Sequence, residues 1–360
     1  MITMKKTVLC LFGGKSTEYK VSLRSVCTVL DALDTEKYDI VRVGITEDGR
    51  WYHYTGSDAD ILADTWHQNP AVLRRAMLSS SYGDHNLYVE RMEENCFDIV
   101  GIDVVIPMVH GAYCEDGTLQ GLLSMTGIPY VGPHCAASAV AMDKVFTKLI
   151  LNNFGIPQAK CAVLMRSRID ADPAGACEEA EAVSGYPLFV KPANAGSSIG
   201  VSKAESRDDL LRALRHAASY DDKVLVEECI VGREVECAVL GNESPAAAIP
   251  GEINAGAAFY DYDAKYITDT SSDYIPARIS EKALEAVRGY AIRIYEILGC
   301  KGCSRVDFFV TEKEDIIFNE INTLPGFTSI SMYPKMWQNM GKSIPALLDD
   351  LIALAEEAGR

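Results

Sequence analysis

The run T-V-L-C-L-F-G-G at residues 7–14, followed by apolar positions at helical spacing from Val21 to Leu33, reads as a strand, a glycine turn and a helix. Tyr38 to Ile45 is a second strand-like run, closed by the turn-rich T-E-D-G-R, and Ile102 to Val109 is a third. This order predicts a doubly wound, parallel-sheet α/β domain at the start of the chain. Residues 55 to 95 are polar and weakly periodic, and predict helices and a hairpin decorating its edge.

The texture changes after Gly132-Pro133. Helices are predicted at 135–142, 143–154 and 206–219, with strands at 161–164, 186–191, 223–228 and 234–240, which together make a compact α+β unit. From about residue 245 a Gly- and Tyr-rich loop precedes a helix at 281–298, a hairpin at 304–321 and a final helix at 343–357. With 360 residues, and ~150 per domain, two or three domains are expected. The boundaries fall at 1–134, 135–241 and 242–360, with no internal repeat.

The formal charge is −17, from 34 basic and 51 acidic residues, which disfavours a polyanion gripped by a broad basic face and so excludes bulk nucleic-acid binding. Eleven cysteines, odd in number and scattered through apolar segments, read as reduced cytosolic thiols and place the protein in the cytoplasm. Cys300 and Cys303 lack a second pair at zinc spacing and read as structural. Val8 to Phe12 is too short for a signal peptide, and no segment approaches the ~18 apolar residues of a membrane span.

Chemistry concentrates near the C-terminus. In S-R-V-D-F-F-V (304–310) and I-I-F-N-E-I-N (316–322), alternation puts Arg305 and Asp307 on a shared face of the first strand and Glu320 and Asn322 on a shared face of the second. A turn centred on Lys313 and Glu314 sets Asp307 opposite Glu320. Two carboxylates and an amide oxygen then converge, an all-oxygen set suited to Mg²⁺ with substrate phosphates. On spacing alone the same hairpin reads equally as a polar, solvated face. Y-P-L-F-V-K-P (186–192) ends a strand at Lys191 before the small-residue loop A-N-A-G-S-S-I-G (193–200), whose N–H groups can cradle phosphate or can simply form a surface hairpin. Glu227 and Glu228, with Glu234 and Glu236, are acceptors suited to adenine or ribose, or ordinary solvated charges. G-x-x-x-x-G-K-[ST] and G-x-G-x-x-G are absent. His110 ends the third strand, where open α/β sheets place ligand loops, and reads equally as structural or functional.

Taken together, G-G-K-S-T-E-Y-K-V-S-L (13–23), H-G-A-Y-C-E-D-G-T-L-Q-G (110–121), M-D-K (142–144), V-K-P-A-N-A-G-S-S-I-G (190–200), Y-D-Y-D-A-K-Y (260–266), G-C-S-R-V-D (302–307) and F-N-E-I-N-T-L-P-G-F-T-S (318–329) resemble the D-alanine–D-alanine ligases of the ATP-grasp superfamily, over nearly the whole chain. The resemblance implies a three-domain ATP-grasp fold that joins two D-alanines through an acyl phosphate at the expense of ATP, for peptidoglycan precursors. It implies Lys144, Lys191 and Lys265 at the ATP phosphates, Glu227 and Glu234 at adenosine, and Asp307, Glu320 and Asn322 holding two Mg²⁺ or Mn²⁺ ions. Glu18 would bind the first ammonium and form a hydrogen-bonded set with Ser197 and Tyr266. Arg305 and the Gly326 N–H would serve as oxyanion donors, with Ser331 and Met332 at the second substrate. A homodimer is also implied.

Tyr266 is similar to the dipeptide-forming type. Y-H-Y-T-G (52–56) and Y-I-P-A-R-I (274–279) look closer to D-alanine–D-serine ligases, so D-serine is the alternative second substrate. Cys114 and Ile330 stand where the family usually has glycine and histidine. A nucleotide-binding regulator on the same fold would not require the oxyanion donors.

Overall fold

The protein is described by a computed structural model covering residues 5–91, 96–254 and 272–359. The first unit comprises β1 (Lys6–Gly13), α1 (Tyr19–Ala32), β2 (Tyr38–Ile45), β3 (Trp51–Tyr54), α2 (Asp58–Leu62), β4 (Leu73–Leu78), β5 (Asn86–Arg91), β6 (Cys96–Gly101), β7 (Val104–Val109) and α3 (Thr118–Thr126). Val8 to Phe12 are fully buried, because β1 lies between β2 and β7 in parallel register and both faces are covered. Gly13 ends the strand at φ +84°, and a Cβ there would lie 2.1 Å from the Ile45 carbonyl oxygen. Beyond β2 the sheet continues antiparallel in the order β6-β5-β4-β3-β2-β1-β7. The hairpin expected in 55–95 is β4–β5, but the segment also extends the sheet. Among its described residues the α-helix is α2, and its weak periodicity is that of half-buried antiparallel strands.

The second unit comprises α4 (Cys135–Met142), α5 (Lys144–Asn153), β8 (Cys161–Met165), α6 (Arg166–Ala171), α7 (Pro173–Glu181), β9 (Leu188–Pro192), β10 (Ser202–Ala204), α8 (Arg207–Ala218) and β11 (Lys223–Glu228). Its sheet runs β10-β9-β11-β8. α8 starts where Ser206 accepts the Asp209 N–H, and buries Leu210, Ala213, Leu214, Ala217 and Ala218, a single stripe at helical spacing.

The third sheet runs β15-β14-β12-β16-β17, with β13 on β12. Its strands are β12 (Arg233–Leu240), β13 (Ala246–Ala247), β14 (Gly251–Asn254), β15 (Ser272–Tyr274), β16 (Cys303–Val310) and β17 (Ile316–Asn322), followed in the chain by α10 (Met332–Asn339) and α11 (Ile344–Ala358), with α9 (Glu281–Ile297) between β15 and β16. Residues 233–240, which the sequence boundary at 241 groups with the second unit, pair with β14 and β16 and so belong to the third sheet. α11 returns to the first unit: Leu347, Leu348, Leu351 and Ile352 share one core with Val8, Phe12 and Val29. Lys6–Glu356 at 2.6 Å and Lys37–Asp349 at 2.7 Å reinforce that contact. Among the described residues no helix is long and apolar enough to cross a membrane.

Asp307 does pair with Glu320, and Arg305 with Asn322. The turn end of the hairpin pairs one residue short of the expected register, Val310 with Ile316, and Asn319 is the extra residue that restores it.

Candidate active site

Between the second and third sheets lies a cavity of about 420 Å³, lined by Lys144, Lys191, Ser197, Glu227, Glu234 and Glu320 with the apolar Phe189, Ile230, Phe309 and Phe318. Its volume and mixed lining suit a small ligand with an aromatic part and a polar part. A second, smaller cavity of about 40 Å³ touches Glu18, Glu115, Lys144, Gly196, Glu320 and Asn322. Lys144 and Glu320 line both, so the two cavities meet there.

Lys144 is placed by its neighbour. Asp143 caps α5 by accepting the N–H groups of Val145 and Phe146, both at 3.0 Å, which fixes Lys144 at the first helical position. Lys144 Nζ donates to the Ala195 carbonyl at 2.8 Å and lies 3.3 Å from Glu320. Lys191, on β9, is ion-paired to Glu227, whose other oxygen is 2.5 Å from Lys148. All three are buried, and Lys191 raises while Glu227 lowers its pKa, as each charge overcomes burial through the other. Sequence reasoning missed Lys148. The signal was its position one helical turn beyond Lys144 on the same predicted helix.

Glu18 takes the N-cap position of α1 without capping it through its side chain. Instead it accepts a short hydrogen bond from the Ser197 hydroxyl, across 179 residues of sequence. The carboxylate sits between Gly196 and Gly111, where an added Cβ would approach Glu18 Oε2 to 2.4 and 2.5 Å. Only glycine allows this approach from both sides.

On β16 the Arg305 guanidinium forks onto Asp307, Nε to Oδ1 at 2.8 Å and a terminal nitrogen to Oδ2 at 2.7 Å, and Nε is also 3.0 Å from Glu236. Asn322 Nδ2 donates to Asp307 Oδ2 at 3.0 Å. Among the described residues no group of three His, Cys, Asp or Glu side chains could hold a metal. The fit to a cation is therefore of the other kind: two carboxylates and an amide on one sheet face, beside a cavity that can bring phosphate oxygens, as Mg²⁺ prefers.

Gly326 and Ser331 are neighbours, since a Cβ on Gly326 would lie 2.9 Å from the Ser331 hydroxyl. That hydroxyl accepts the Thr328 N–H at 3.0 Å and bonds the Thr328 hydroxyl at 2.8 Å. Lys265 and Tyr266 lie outside the described residues.

His110 resolves as a structural link. Its Nδ1 faces the Leu324 carbonyl at 2.9 Å, so Nδ1 carries the proton, and Nε2 accepts from the Ser25 hydroxyl at 3.0 Å. Ser25 in turn accepts the Phe327 N–H at 3.2 Å. Burial holds the ring's pKa at about 4, against an ordinary 6.5. The unfolded ring takes a proton first as pH falls, so His110 contributes stability that is full above pH 6.5 and lost toward pH 4, roughly 3 kcal/mol in all. Burial and the charge of Glu18 push Glu115 the opposite way, up to about 8, so the measurement must be a difference. The thermal midpoint of the parent should exceed that of His110→Gln at pH 7 and converge on it by pH 4.5. A gap that does not change with pH would contradict the neutral-ring assignment.

Cys114 fills its departure comfortably: it is buried against Gly14, and its carbonyl accepts from Gln120 Nε2 at 2.8 Å. Ile330 is half exposed. Cys300 and Cys303 are buried free thiols, both pushed up to about 12 by burial.

Residues 7–133 match the family model for the D-ala D-ala ligase N-terminus and residues 150–353 that for the D-ala D-ala ligase C-terminus. The chain is 46% identical over 361 residues to a D-alanine–D-alanine ligase of Acetivibrio thermocellus, covering 98% of this chain and 96% of that one. It is 45% identical to a D-alanine–D-alanine ligase of Clostridium acetobutylicum, covering 98% of each. Among solved structures it superimposes on the VanG D-Ala:D-Ser ligase of Enterococcus faecalis with a TM-score of 0.88 and 40% identity, covering 98% of this chain and all of that one. The D-alanine-D-alanine ligase of Coxiella burnetii follows at TM-score 0.82 and 34% identity, covering 99% and 95%. With both family models matched along its length, the chain belongs to the D-alanine–D-alanine ligase family and has its three-sheet ATP-grasp architecture.

Proposed function

We propose that this protein joins two D-alanine molecules into D-alanyl-D-alanine, with ATP converted to ADP and phosphate, for peptidoglycan precursors. The observation that carries the reading is the Glu18–Ser197 contact, which closes the first unit onto the phosphate-cradle loop directly beside Lys144, Glu320 and Asn322. A carboxylate oxygen of the first D-alanine attacks the γ-phosphorus as ADP leaves; the amine of the second then attacks the acyl carbon and phosphate leaves.

Each residue has a place in that sequence. Lys144, Lys191 and Lys265 hold phosphate oxygens, and Glu227 and Glu234 hold the adenosine in the larger cavity. Glu18 holds the ammonium of the first D-alanine, with Ser197 and Tyr266 in its hydrogen-bonded set. Arg305 and the Gly326 N–H donate to the oxygen that gains charge at the tetrahedral stage. Ser331 orients the second substrate beside Met332. Asp307, Glu320 and Asn322 would hold Mg²⁺ or Mn²⁺, two ions, which neutralise phosphate oxygens when bound. Little covalent chemistry falls to the protein, and positioning supplies most of the rate.

Sheet membership supports three units, with the division between second and third after β11. All eleven cysteines stand as free thiols, which supports a cytoplasmic location. The homodimer belongs to the same family-based reading.

D-serine is the second reading, favoured by the likeness to VanG. Against it, Met332 is buried and apolar, with no group to meet a hydroxyl. ADP and dipeptide formation with D-alanine alone, L-alanine alone, and D-alanine plus D-serine or D-lactate tests both. D-alanine alone should give one ADP per dipeptide, and L-alanine none. No turnover with D-alanine under any condition would sink the ligase reading; turnover that requires D-serine would move the protein to the second.

A further inference from the structure

The turn that carries Gly326 is gripped from the first unit at three points. Two of them are the neutral bonds of His110 to the Leu324 carbonyl and of Phe327 N–H to Ser25. The third is charged-capable: Glu115 Oε1 accepts the Leu324 N–H at 2.9 Å, while its Oε2 accepts the Gly111 N–H at 2.8 Å. One carboxyl group therefore ties the loop 110–117 of the first unit to the residue just past the candidate ligand strand, 209 positions away.

The motif at 110–117 entered the sequence reading through His110, and nothing in the reaction as proposed uses Glu115. Yet Glu115 lines the small cavity together with Glu18, Lys144, Glu320 and Asn322, so it stands at the reacting end of the site. A carboxyl placed there, next to Glu18, is disfavoured as an anion by burial and by like charge. Such a costly placement has a return in geometry, because both of its oxygens are taken by backbone N–H groups of different units. Leu324 cannot shift without breaking this bond and the His110 bond together, and Gly326 lies two residues on.

We propose that Glu115 is a positioning residue for the ligation: its two-sided clasp on Gly111 and Leu324 fixes where the Gly326 N–H points when the acyl carbon becomes tetrahedral. This rests on the ligase reading above. Glu115 touches neither substrate nor nucleotide in this role. It acts through the turn, so its loss shows in the chemical step rather than in nucleotide binding.

The test compares Glu115→Gln, Glu115→Asp and Asp116→Asn with the parent enzyme. Glutamine keeps one acceptor oxygen but sets an NH₂ against the second N–H, so one tether is lost. Aspartate keeps the carboxyl group but is shorter by a methylene and cannot span both. Asp116 serves as the control, since it orders the same loop through Tyr113 N–H at 2.7 Å and Thr118 N–H at 3.0 Å and makes no bond to the 323–327 turn. Glu115→Gln should lower kcat about 10²-fold, the scale of a small misplacement, with KM for ATP within about 2-fold. Glu115→Asp should show the same split with at least about a 5-fold loss in kcat. Asp116→Asn should stay within about 2-fold of the parent in both constants. An unchanged kcat in either Glu115 variant, a parallel change in KM for ATP, or an equal loss in Asp116→Asn would overturn the clasp. Should Glu115→Gln fail to fold, Glu115→Asp alone decides. Absence of turnover in the parent would instead be the failure of the ligase reading.

Discussion

Arg305→Lys should leave the protein folded and able to bind nucleotide while lowering kcat about 10²–10³-fold, the range seen when a single oxyanion donor is removed. The guanidinium sits low in a carboxylate-rich pocket, forked onto Asp307 and touching Glu236. Lysine keeps the charge but not the fork, and its single ammonium cannot hold two carboxylates and a developing oxyanion in one plane. In the ground state the charge balance survives, so folding and KM for ATP should change little. In the proposed oxyanion role the transition state loses its aimed donor, and the loss is expected in kcat. Steady-state kinetics with D-alanine, paired with the thermal shift on adding ATP, separate the two. A kcat within about 3-fold of the parent would remove Arg305 from the oxyanion role.

Glu227→Ala should be the most damaging single change to stability. It deletes a carboxylate that Lys148 and Lys191 share, leaving two buried ammonium groups without that partner. Breaking a buried pair from one side costs about 3–5 kcal/mol, because an uncompensated charge remains in a poorly solvated place. The expected result is a clear fall in the thermal midpoint. If Lys191 holds the ATP phosphates as proposed, saturating ATP should raise the midpoint of the variant more than that of the parent, because phosphate returns negative charge to it. A midpoint unchanged by the substitution would show that solvent reaches these lysines. An unchanged ATP increment would place the phosphates elsewhere.

Strands and helices with a clean period were legible in the sequence. β1 shows as an unbroken apolar run because it is covered on both faces, and α8 as a stripe of small and leucine residues behind a serine cap. α10 was not legible: Pro334 in its first turn, after G-F-T-S, reads as a loop, although proline is tolerated at that point of a helix. The extension of the first sheet through β3 to β6 was masked by half-burial, which weakens alternation. In the site, motif residues were readable one at a time, but their partners were not. Glu227 read as an adenosine contact, and the structure makes it the counter-ion of two lysines. Glu115 was invisible as a tie because its partners are backbone N–H groups, and backbone atoms leave no mark on a sequence. Membership of β12 in the third sheet was likewise unreadable, since a strand's own residues do not say which neighbour it will pair with.

Asn319 acts as a one-residue frame shift in the pleat of β17. Cross-strand partners point the same way, so Phe318, opposite Phe308, packs into the core that borders the larger cavity, while Glu320, opposite Asp307, lines both cavities. In an uninterrupted strand residues 318 and 320 would share a face, and the chain would have to choose between burying a phenylalanine and presenting an acid. The extra residue removes that conflict. It lets Ile316 and Phe318 anchor the strand in one parity and Glu320 and Asn322 line the small cavity in the other. Hydrophobic anchoring and the lining of a polar cavity thus occupy consecutive stretches of a single seven-residue strand, each with its own alternation.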